Sequence, residues 1–288
     1  MNKNPKILVL GVSGMLGNAT FRLFAKSDAC SVVGSARSTS VLRLLPSNLH
    51  ERVICGVDVE NTDNMTRLFA KTQPDVVINC IGLIKQLAGA NDPLETIPVN
   101  ALLPHRLARL CDLIGARLIH VSTDCVFSGI RGMYQERDKA DAHDLYGRSK
   151  YLGEVDYPNS VTLRTSIIGH ELSSANGLVA WFLAQSEPVN GFRRAVFSGL
   201  PTVELARVIL NFVVPNRSLH GVYHVSAAPI SKFELLKLVA LAYDKCIDII
   251  PDDKLVIDRS LDSSRFREAT GYQPPTWPEL VRLMQMFG

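Results

Sequence analysis

The chain has 288 residues, of which 47% are hydrophobic and 20% are charged, and its formal net charge is +3. This length and composition predict a folded protein with a large buried core, so the disordered and fibrous classes are excluded. The small charge argues against a nucleic-acid partner, and no apolar run reaches the roughly eighteen residues that would indicate a membrane span. Six cysteines without a C-x-x-C pair predict a reduced, cytoplasmic protein that holds no structural metal.

The first half of the chain alternates segments with strand and helix patterns. Strands are predicted at residues 6–10, 31–36, 53–57, 75–79, 118–121 and 160–163, and helices at 14–26, 61–71, 95–115 and 144–155. Strands that alternate with helices of this length predict right-handed βαβ units. We therefore expect an α/β fold, with a Rossmann-type, doubly wound parallel sheet.

The second half is less regular. Its pattern predicts helices at 174–185, 203–213, 231–243 and 279–287, and a strand at 221–225. We expect a Rossmann domain and a smaller C-terminal substrate-binding lobe, and the second half of the chain contributes segments to both. The first would comprise residues 1–166 with about 200–226, and the second would comprise about 167–199 with 227–288.

Three glycines, Gly11, Gly14 and Gly17, lie between the first predicted strand and the first predicted helix. Glycine at such positions permits a tight turn and the close approach of a pyrophosphate, which the N–H groups of the helix start then bind. Lys3 and Lys6 before an apolar run also resemble a secretory signal, but the glycines favour the dinucleotide interpretation.

The end of the second predicted strand indicates which dinucleotide is bound. An NAD site has an acidic residue there, whereas this chain has Arg37, which can pair with a 2′-phosphate. NADPH is therefore the expected cofactor and NADH the alternative, unless Arg37 is only an exposed loop residue. Asp58 and Val59, after the third strand, are placed to meet the adenine, although Asp58 also suits a turn.

A phenol and an ammonium group lie four residues apart, at Tyr146 and Lys150, and so share one face of a helix. A nearby ammonium group favours phenolate, so we expect Lys150 to lower the pKa of Tyr146 toward neutrality. Ser122 and Thr123 end the fifth predicted strand, at the sheet edge where α/β enzymes place their active sites.

Eight motifs, in this order and spacing, together resemble the extended short-chain dehydrogenases/reductases over nearly the whole chain. They are GVSGMLG (11–17), PDVVINCIG (74–82), VNALLPHRLA (99–108), HVSTDCVFSG (120–129), YGRSKYLGE (146–154), LRTSIIG (163–169), PTVELARVI (201–209) and GVYHVSA (221–227). The likeness is greatest to members that reduce nucleotide-linked 4-keto-6-deoxy sugars.

The resemblance implies a role for each matching residue. Thr123 would bond the substrate carbonyl with Asp124 beside it, Tyr146 would donate a proton, and Lys150 would tune Tyr146 and bind the cofactor ribose. Residues expected to contact the cofactor are Gly11, Gly14, Met15, Leu16, Gly17, Arg37, Asp58, Val59, Cys80, Ile81, Gly82, Tyr146 and Lys150.

One residue and one loop depart from the family pattern at places that affect which sugar the protein binds. Ile167 stands in the substrate site where such reductases often have a tryptophan that packs on the sugar. The loop Gly82–Gln86 is unusual, and its Lys85 either faces the substrate phosphates or is a surface lysine. Both changes affect the identity of the sugar more than the chemistry.

Pro104 lies in the helix predicted at 95–115. Its missing N–H would leave the carbonyl of Asn100 free for a water that leads toward Lys150, as a proton relay in related enzymes does. Alternatively, Pro104 lies in the first turn of a helix that begins near residue 101.

We expect an NADPH-dependent reductase of a nucleotide-activated 4-keto sugar in polysaccharide precursor synthesis, with pairing to a second copy as an option. A nucleotide-sugar epimerase with tightly bound NAD ranks second, because Phe197–Leu200 lack the arginine that epimerases carry there. A non-catalytic, NADP-binding regulatory subunit of similar fold is the third alternative. Arg193, Arg194 and Arg265 are candidate diphosphate ligands or solvated side chains.

Overall fold

The computed structural model describes residues 4–85, 91–173 and 175–288. Its strands are β1 (Lys6–Leu10), β2 (Ser31–Ser35), β3 (Val53–Ile54), β4 (Val76–Asn79), β5 (Arg117–Thr123), β6 (Ser160–Thr165), β7 (Ile167–Ile168), β8 (Val189–Phe192), β9 (Ala195–Phe197), β10 (Leu200–Pro201), β11 (Gly221–His224), β12 (Ile230–Ser231), β13 (Ile249–Asp252) and β14 (Ile257–Asp258). Seven of them form one sheet in the order β11-β6-β5-β4-β1-β2-β3, and every pair in it is parallel. The predicted doubly wound, Rossmann-type sheet is thereby confirmed.

Helices connect the strands and cover both faces of this sheet. They are α1 (Met15–Ala25), α2 (Thr62–Thr72), α3 (Pro93–Thr96), α4 (Leu103–Leu113), α5 (Leu145–Leu152), α6 (Leu178–Ala184), α7 (Thr202–Val208), α8 (Lys232–Ala242), α9 (Ser264–Thr270) and α10 (Trp277–Phe287). No helix in the described ranges combines the length and apolar character that crossing a membrane requires.

Alternation along the strands divides the core into two layers. Leu8 of β1 packs in one cluster with Leu68 of α2 and Leu107 of α4. Val9, the next residue of β1, points to the opposite face and belongs to the cluster that contains Phe21 of α1. Because successive side chains of a strand face opposite ways, the apolar runs of the central strands fill both layers.

The helical run that contains Pro104 begins well ahead of α4. Helix α3 is capped by Asp92, whose carboxylate accepts a bond from the N–H of Leu94 at 2.8 Å, and helical structure then continues to Leu113. Residues Ile97–Leu102 form a π-helical segment, and Pro104 follows it. Pro104 nevertheless lies in the first turn of α4, which begins at Leu103, so the second interpretation holds for α4 itself, and the π-helical segment extends the helical run ahead of it. The water relay stays a prediction.

The second half contains short strands that the sequence pattern did not predict. β9 pairs with β12 and β14, β8 pairs with β13, and β7 pairs with β10. In the first half, the strand predicted at 53–57 is shorter, since β3 ends at Ile54. The helix predicted at 174–185 begins at Leu178, and residue 174 lies outside the described residues. The division into two domains stays a prediction.

Candidate active site

The predicted functional residues lie along one edge of the main sheet. Gly11 follows β1, Arg37 follows β2, Cys80 follows β4 and Thr123 ends β5. These strands are parallel and adjacent, so their carboxyl ends open toward a common cleft. Since β2 and β4 flank β1, the chain reverses its direction of winding at β1, and such switch points are where open α/β sheets bind ligands.

The three loop glycines differ in what their missing side chains permit. Gly11 has a φ of +85°, which favours glycine, and a Cβ on Gly17 would lie 2.0 Å from the carbonyl oxygen of Gly11. A Cβ on Gly14 would meet only that oxygen, at 3.5 Å. Gly11 is therefore needed for the backbone conformation of the turn, and Gly17 is needed for its close packing. Gly14 has space beside its Cα that a ligand could use.

Helix α1 begins at this loop without protein groups that would compete for an anion. Gly14 is its N-cap, no side chain caps the helix, and its first turn has no acidic residue. Free N–H groups and the positive end of the helix dipole suit a pyrophosphate. The residues present thus fit the dinucleotide that the glycine pattern predicts.

Arg37 and Asp58 lie farther along the same edge. Arg37 is exposed, and none of the ion pairs between described residues involves it. Asp58 is also exposed, and its carboxylate accepts a bond from the N–H of Glu60 at 3.0 Å, which is the turn role foreseen as its alternative. Val59 is half-buried beside the α2–α4 core. Arg37 is thus free to meet a phosphate.

The loop after β4 is held close to Lys150 by Asn100. The Asn100 side chain accepts a bond from the N–H of Leu83 at 2.9 Å and donates one to its carbonyl at 3.0 Å. A Cβ on Gly82 would lie 3.8 Å from Lys150 Nζ. Cys80 and Ile81 are partly exposed where the loop begins, and Gln86 lies outside the described residues. The sequence drew attention to the Asn100 carbonyl, but its side chain is what fixes this loop.

Thr123 and Asp124 are buried at the end of β5. The Thr123 hydroxyl accepts a bond from the N–H of Cys125 at 3.1 Å and donates to the Asp124 carboxylate at 3.2 Å. It also lies within hydrogen-bonding reach of the Tyr146 phenol, and burial raises the pKa of Asp124 even though Arg259 opposes that change. One hydroxyl therefore connects the strand end with the predicted acid.

The pKa of Tyr146 moves in the direction opposite to the sequence-based expectation. Burial raises the pKa of the phenol, with Cys125 adding to the effect and the bond from Thr123 opposing it. Lys150 donates from Nζ to the carbonyl of Val121 at 2.8 Å, and burial lowers its pKa to about 8. The expected lowering for Tyr146 is wrong because desolvation of the phenolate is the largest influence on its pKa.

Besides Lys150, Lys85 and Arg259 are cations of this region, and they differ in their partners. Lys85 Nζ is 2.6 Å from an Asp144 carboxylate oxygen and lies 5.6 Å from the centroid of the Tyr146 ring. Arg259 donates from Nε to the carbonyl of Phe127 at 2.8 Å, and no ion pair between described residues includes it. Its charge opposes the effect of burial on the pKa of Asp124 and of Asp144.

Of the three arginines considered as diphosphate ligands, two already have other partners. Arg193 forms an ion pair with Asp253, and Arg265 donates to the carbonyl of Val222 at 2.9 Å while covering the ring of Tyr223. Arg194 is exposed. Arg259, which no local motif identifies, is the arginine whose charge acts on Asp124.

Ile167 begins β7 and is partly exposed, with Leu200 of β10 as its strand neighbour. The preceding Ser166 is among the groups that lower the pKa of Asp124, so this short strand begins near the predicted site. Ile167 lies two residues after Thr165, the last residue of β6. Its contact with the sugar stays a prediction.

Comparison with known proteins identifies a family and several relatives. Residues 5–284 match the model of the RmlD substrate binding domain. A probable low-salt glycan biosynthesis reductase, Agl14 of Haloferax volcanii, is 32% identical over 60% of this chain and 57% of its own length. Methionine adenosyltransferase 2 subunit beta of Bos taurus is 27% identical over 52% of this chain and 42% of its own length. The chain thus spans about half the length of these curated relatives.

Solved structures share the fold over nearly the whole chain. A dTDP-4-dehydrorhamnose reductase from Bacillus anthracis, in complex with NADP, superposes with a TM-score of 0.81 at 20% identity and covers 99% of both chains. A UDP-glucose 4-epimerase from Thermotoga maritima superposes with a TM-score of 0.80 at 17% identity and covers 98% of both chains. The fold is therefore common to reductases and epimerases and does not by itself decide between them.

The different surroundings of Gly14 and Gly17 lead to opposite expectations for their alanine variants. Gly17→Ala forces a backbone clash, so the free energy of unfolding should fall by about 1–3 kcal/mol. Gly14→Ala should stay within about 1 kcal/mol of wild type, yet bind NADPH at least about tenfold more weakly. Thermal unfolding and NADPH titration measure the two effects. Unchanged NADPH affinity in Gly14→Ala would exclude this loop as the pyrophosphate site.

Proposed function

The chain belongs to the RmlD substrate binding domain family, and we propose that it is an NADPH-dependent reductase of a nucleotide-activated 4-keto sugar. The observation that carries this proposal is the grouping of Thr123, Tyr146 and Lys150 at the carboxyl edge of the sheet. A hydroxyl, a protonated phenol and an ammonium group at that edge suit the reduction of a carbonyl.

Each of the three residues has a separate task in this reaction. NADPH, when bound, would supply the hydride. Thr123 would donate its hydrogen bond to the carbonyl oxygen instead of to Asp124, and so stabilise the negative charge that develops there. Tyr146 would give its proton to that oxygen, which completes the alcohol. The raised pKa of Tyr146 supports this direction, because the phenol remains protonated at neutral pH and ready to act as an acid.

Substrate binding would use the free cation beside this group. A nucleotide sugar carries a diphosphate, and Arg259 presents a guanidinium that is not paired with a described carboxylate. Planar guanidinium groups bind phosphate oxygens in pairs, which makes Arg259 the best placed diphosphate ligand. Lys85 is less suited, because Asp144 already neutralises it.

An epimerase remains the second candidate, and the surroundings of Phe197–Leu200 argue against it. Phe197 is buried, and the Ser198 hydroxyl accepts a bond from the N–H of Leu261 at 3.0 Å. A Cβ on Gly199 would lie 2.0 Å from the carbonyl oxygen of Ser166, so no cation fits there. We also propose a cytoplasmic reaction, because six free cysteines suit a reducing compartment.

We propose that a second copy covers an apolar surface on the helices next to the active site. The surface consists of exposed side chains from α3, the π-helical segment and α5, namely Leu94, Ile97, Leu102, Tyr151 and Leu152. Light scattering should therefore give about twice the 31.7 kDa of one chain. Leu94→Asp should shift the protein toward the monomer, since Leu94 is 84% exposed. A wild-type monomer at micromolar concentration would overturn this proposal.

Removing the guanidinium of Arg37 should reduce the preference for NADPH over NADH. The expected loss is on the order of 1–3 kcal/mol, as for a charge-assisted phosphate contact. Dissociation constants of both cofactors would be measured for Arg37→Ala and for Arg67→Ala, which removes another exposed arginine, from α2. Equal discrimination in wild type and Arg37→Ala would show that Arg37 is only a loop residue.

Tyr146→Phe separates an enzyme from a binding protein. The variant keeps the aromatic ring and loses the proton donor, so turnover should fall by about 100-fold or more while NADPH affinity is kept. NADPH oxidation would be followed with a panel of nucleotide-linked 4-keto-6-deoxy sugars. Tyr151→Phe is the matched control, because it removes a phenol hydroxyl from the same helix and keeps the aromatic ring that belongs to the proposed contact with a second copy.

The same assay distinguishes the alternatives. A wild-type protein that oxidises NADPH with none of these sugars would contradict the reductase proposal. If that protein instead retained NAD through purification, the epimerase would be favoured. If it changed the activity of a partner enzyme, the regulatory subunit would be favoured. Equal turnover of wild type and Tyr146→Phe would remove Tyr146 from the mechanism.

A further inference from the structure

A buried carboxylate lies directly behind the proposed catalytic residues. Glu154 follows helix α5, and its side chain is only 5% exposed. It accepts a bond from the Ser122 hydroxyl at 2.8 Å and bonds from Arg164 Nε and Nη2 at 2.7 and 2.6 Å. All these bonds are short and at least partly charge-assisted, so the carboxylate is held in one place.

Two side-chain hydrogen bonds connect the region of helix α5 with strand β5, and Glu154 accepts one of them. Lys150 donates to the carbonyl of Val121, and Glu154 accepts from the next residue of β5, Ser122. The residue after Ser122 is Thr123. These two hydrogen bonds therefore hold helix α5, which carries the proposed acid Tyr146, against the end of β5, which carries Thr123.

Arg164 anchors the carboxylate from the far side. It lies on β6 with a side chain that is 4% exposed, and its Nη1 is 3.3 Å from His224 Nε2. Burial and the neighbouring Arg164 lower the pKa of His224 to about 3, so this imidazole is neutral and adds no charge. The ion pair of Glu154 and Arg164 is thus the charged centre of the network.

The groups that face Lys150 differ in charge at neutral pH. Burial raises the pKa of Cys80 to about 12 and lowers that of His120 well below its usual range, so both are neutral. Tyr146 is also protonated. The Glu154 carboxylate raises the pKa of Lys150 against the effect of burial.

We propose that Glu154 is a positioning residue, because it fixes the catalytic helix α5 against the end of β5 that carries Thr123. The assignment rests on the function proposed above for the catalytic residues. Geometry supplies the first reason, since the carboxylate bonds both neighbouring strands and follows the helix. Charge supplies the second reason, since a carboxylate four residues after Lys150 favours the ammonium form.

Ser122→Ala tests the geometric part while the ion pair stays intact. Loss of the hydrogen bond between Ser122 and Glu154 should lower turnover by about tenfold, because small displacements of catalytic groups are costly, and NADPH affinity should change less than about twofold. Ser160→Ala is the control, since Ser160 is equally buried on β6 but its hydroxyl donates to Asn159. Its turnover should equal that of wild type. Unchanged turnover in Ser122→Ala would overturn the geometric part.

Glu154→Gln tests the electrostatic part with a measurement that needs no turnover. Competitive acetylation across a pH series, followed by mass spectrometry of the peptide that contains Lys150, gives the midpoint of its titration. Wild type should titrate near pH 8, and Glu154→Gln about one unit lower, because the ammonium form loses its anionic neighbour. The alkaline limb of turnover should move to lower pH by the same amount, and Glu154→Asp should restore much of both.

The outcomes separate this proposal from the proposed function. A lower melting temperature with unchanged midpoint and turnover would mean that Glu154 only supports the fold, and would overturn the proposal. A wild-type protein without turnover, whose Lys150 midpoint still depends on Glu154, would overturn the reductase function and support the coupling. A displaced midpoint together with reduced turnover would support both.

Discussion

In a parallel sheet every strand brings its carboxyl end to the same edge, and this constraint places most of the functional side chains of the chain. The glycine loop after β1, Arg37 after β2, Cys80 after β4 and Thr123 at the end of β5 lie side by side only because these strands are adjacent and parallel. Residues more than a hundred positions apart thus meet in one cleft. Helix α5 then needs only to be fixed against β5 for the site to be complete.

Within that cleft, burial decides the protonation states more than charge does. Desolvation disfavours phenolate and ammonium alike, so it raises the pKa of Tyr146 and lowers that of Lys150 to about 8. A pair shifted in this way suits reduction, since the phenol keeps its proton until a strong base forms beside it. Oxidation of an alcohol would instead need the deprotonated phenolate, which accepts a proton. Glu154 limits the shift of Lys150, so that the lysine remains largely charged at neutral pH.

The sequence predicted the parts of the molecule that local patterns determine. Apolar periodicity located the strands and helices of the first half, and the glycine loop and the Tyr146–Lys150 pair were found from their spacing. The short strands β7–β10 and β12–β14 escaped because two to four residues carry no periodic signal and their pairing is decided by distant neighbours. Arg259 escaped for the same reason, since its hydrogen-bond partner Phe127 is 132 residues away. Glu154 lay in a recognised motif, but only the fold brings Arg164 to it.

Lys85 and Arg259 differ in how readily each could bind an anionic group of the proposed substrate. Lys85 already pairs with Asp144, so an anionic substrate group would have to break that contact to gain from it. Arg259 comes from the second half of the chain and forms no ion pair with a described carboxylate, so the proposed diphosphate could bind it without breaking one. If the predicted contact of Ile167 with the sugar holds, it would offer an aliphatic surface without the stacking of an aromatic ring. Binding energy in this site should therefore come mainly from the diphosphate, which nucleotide sugars share, and less from the sugar ring that distinguishes them.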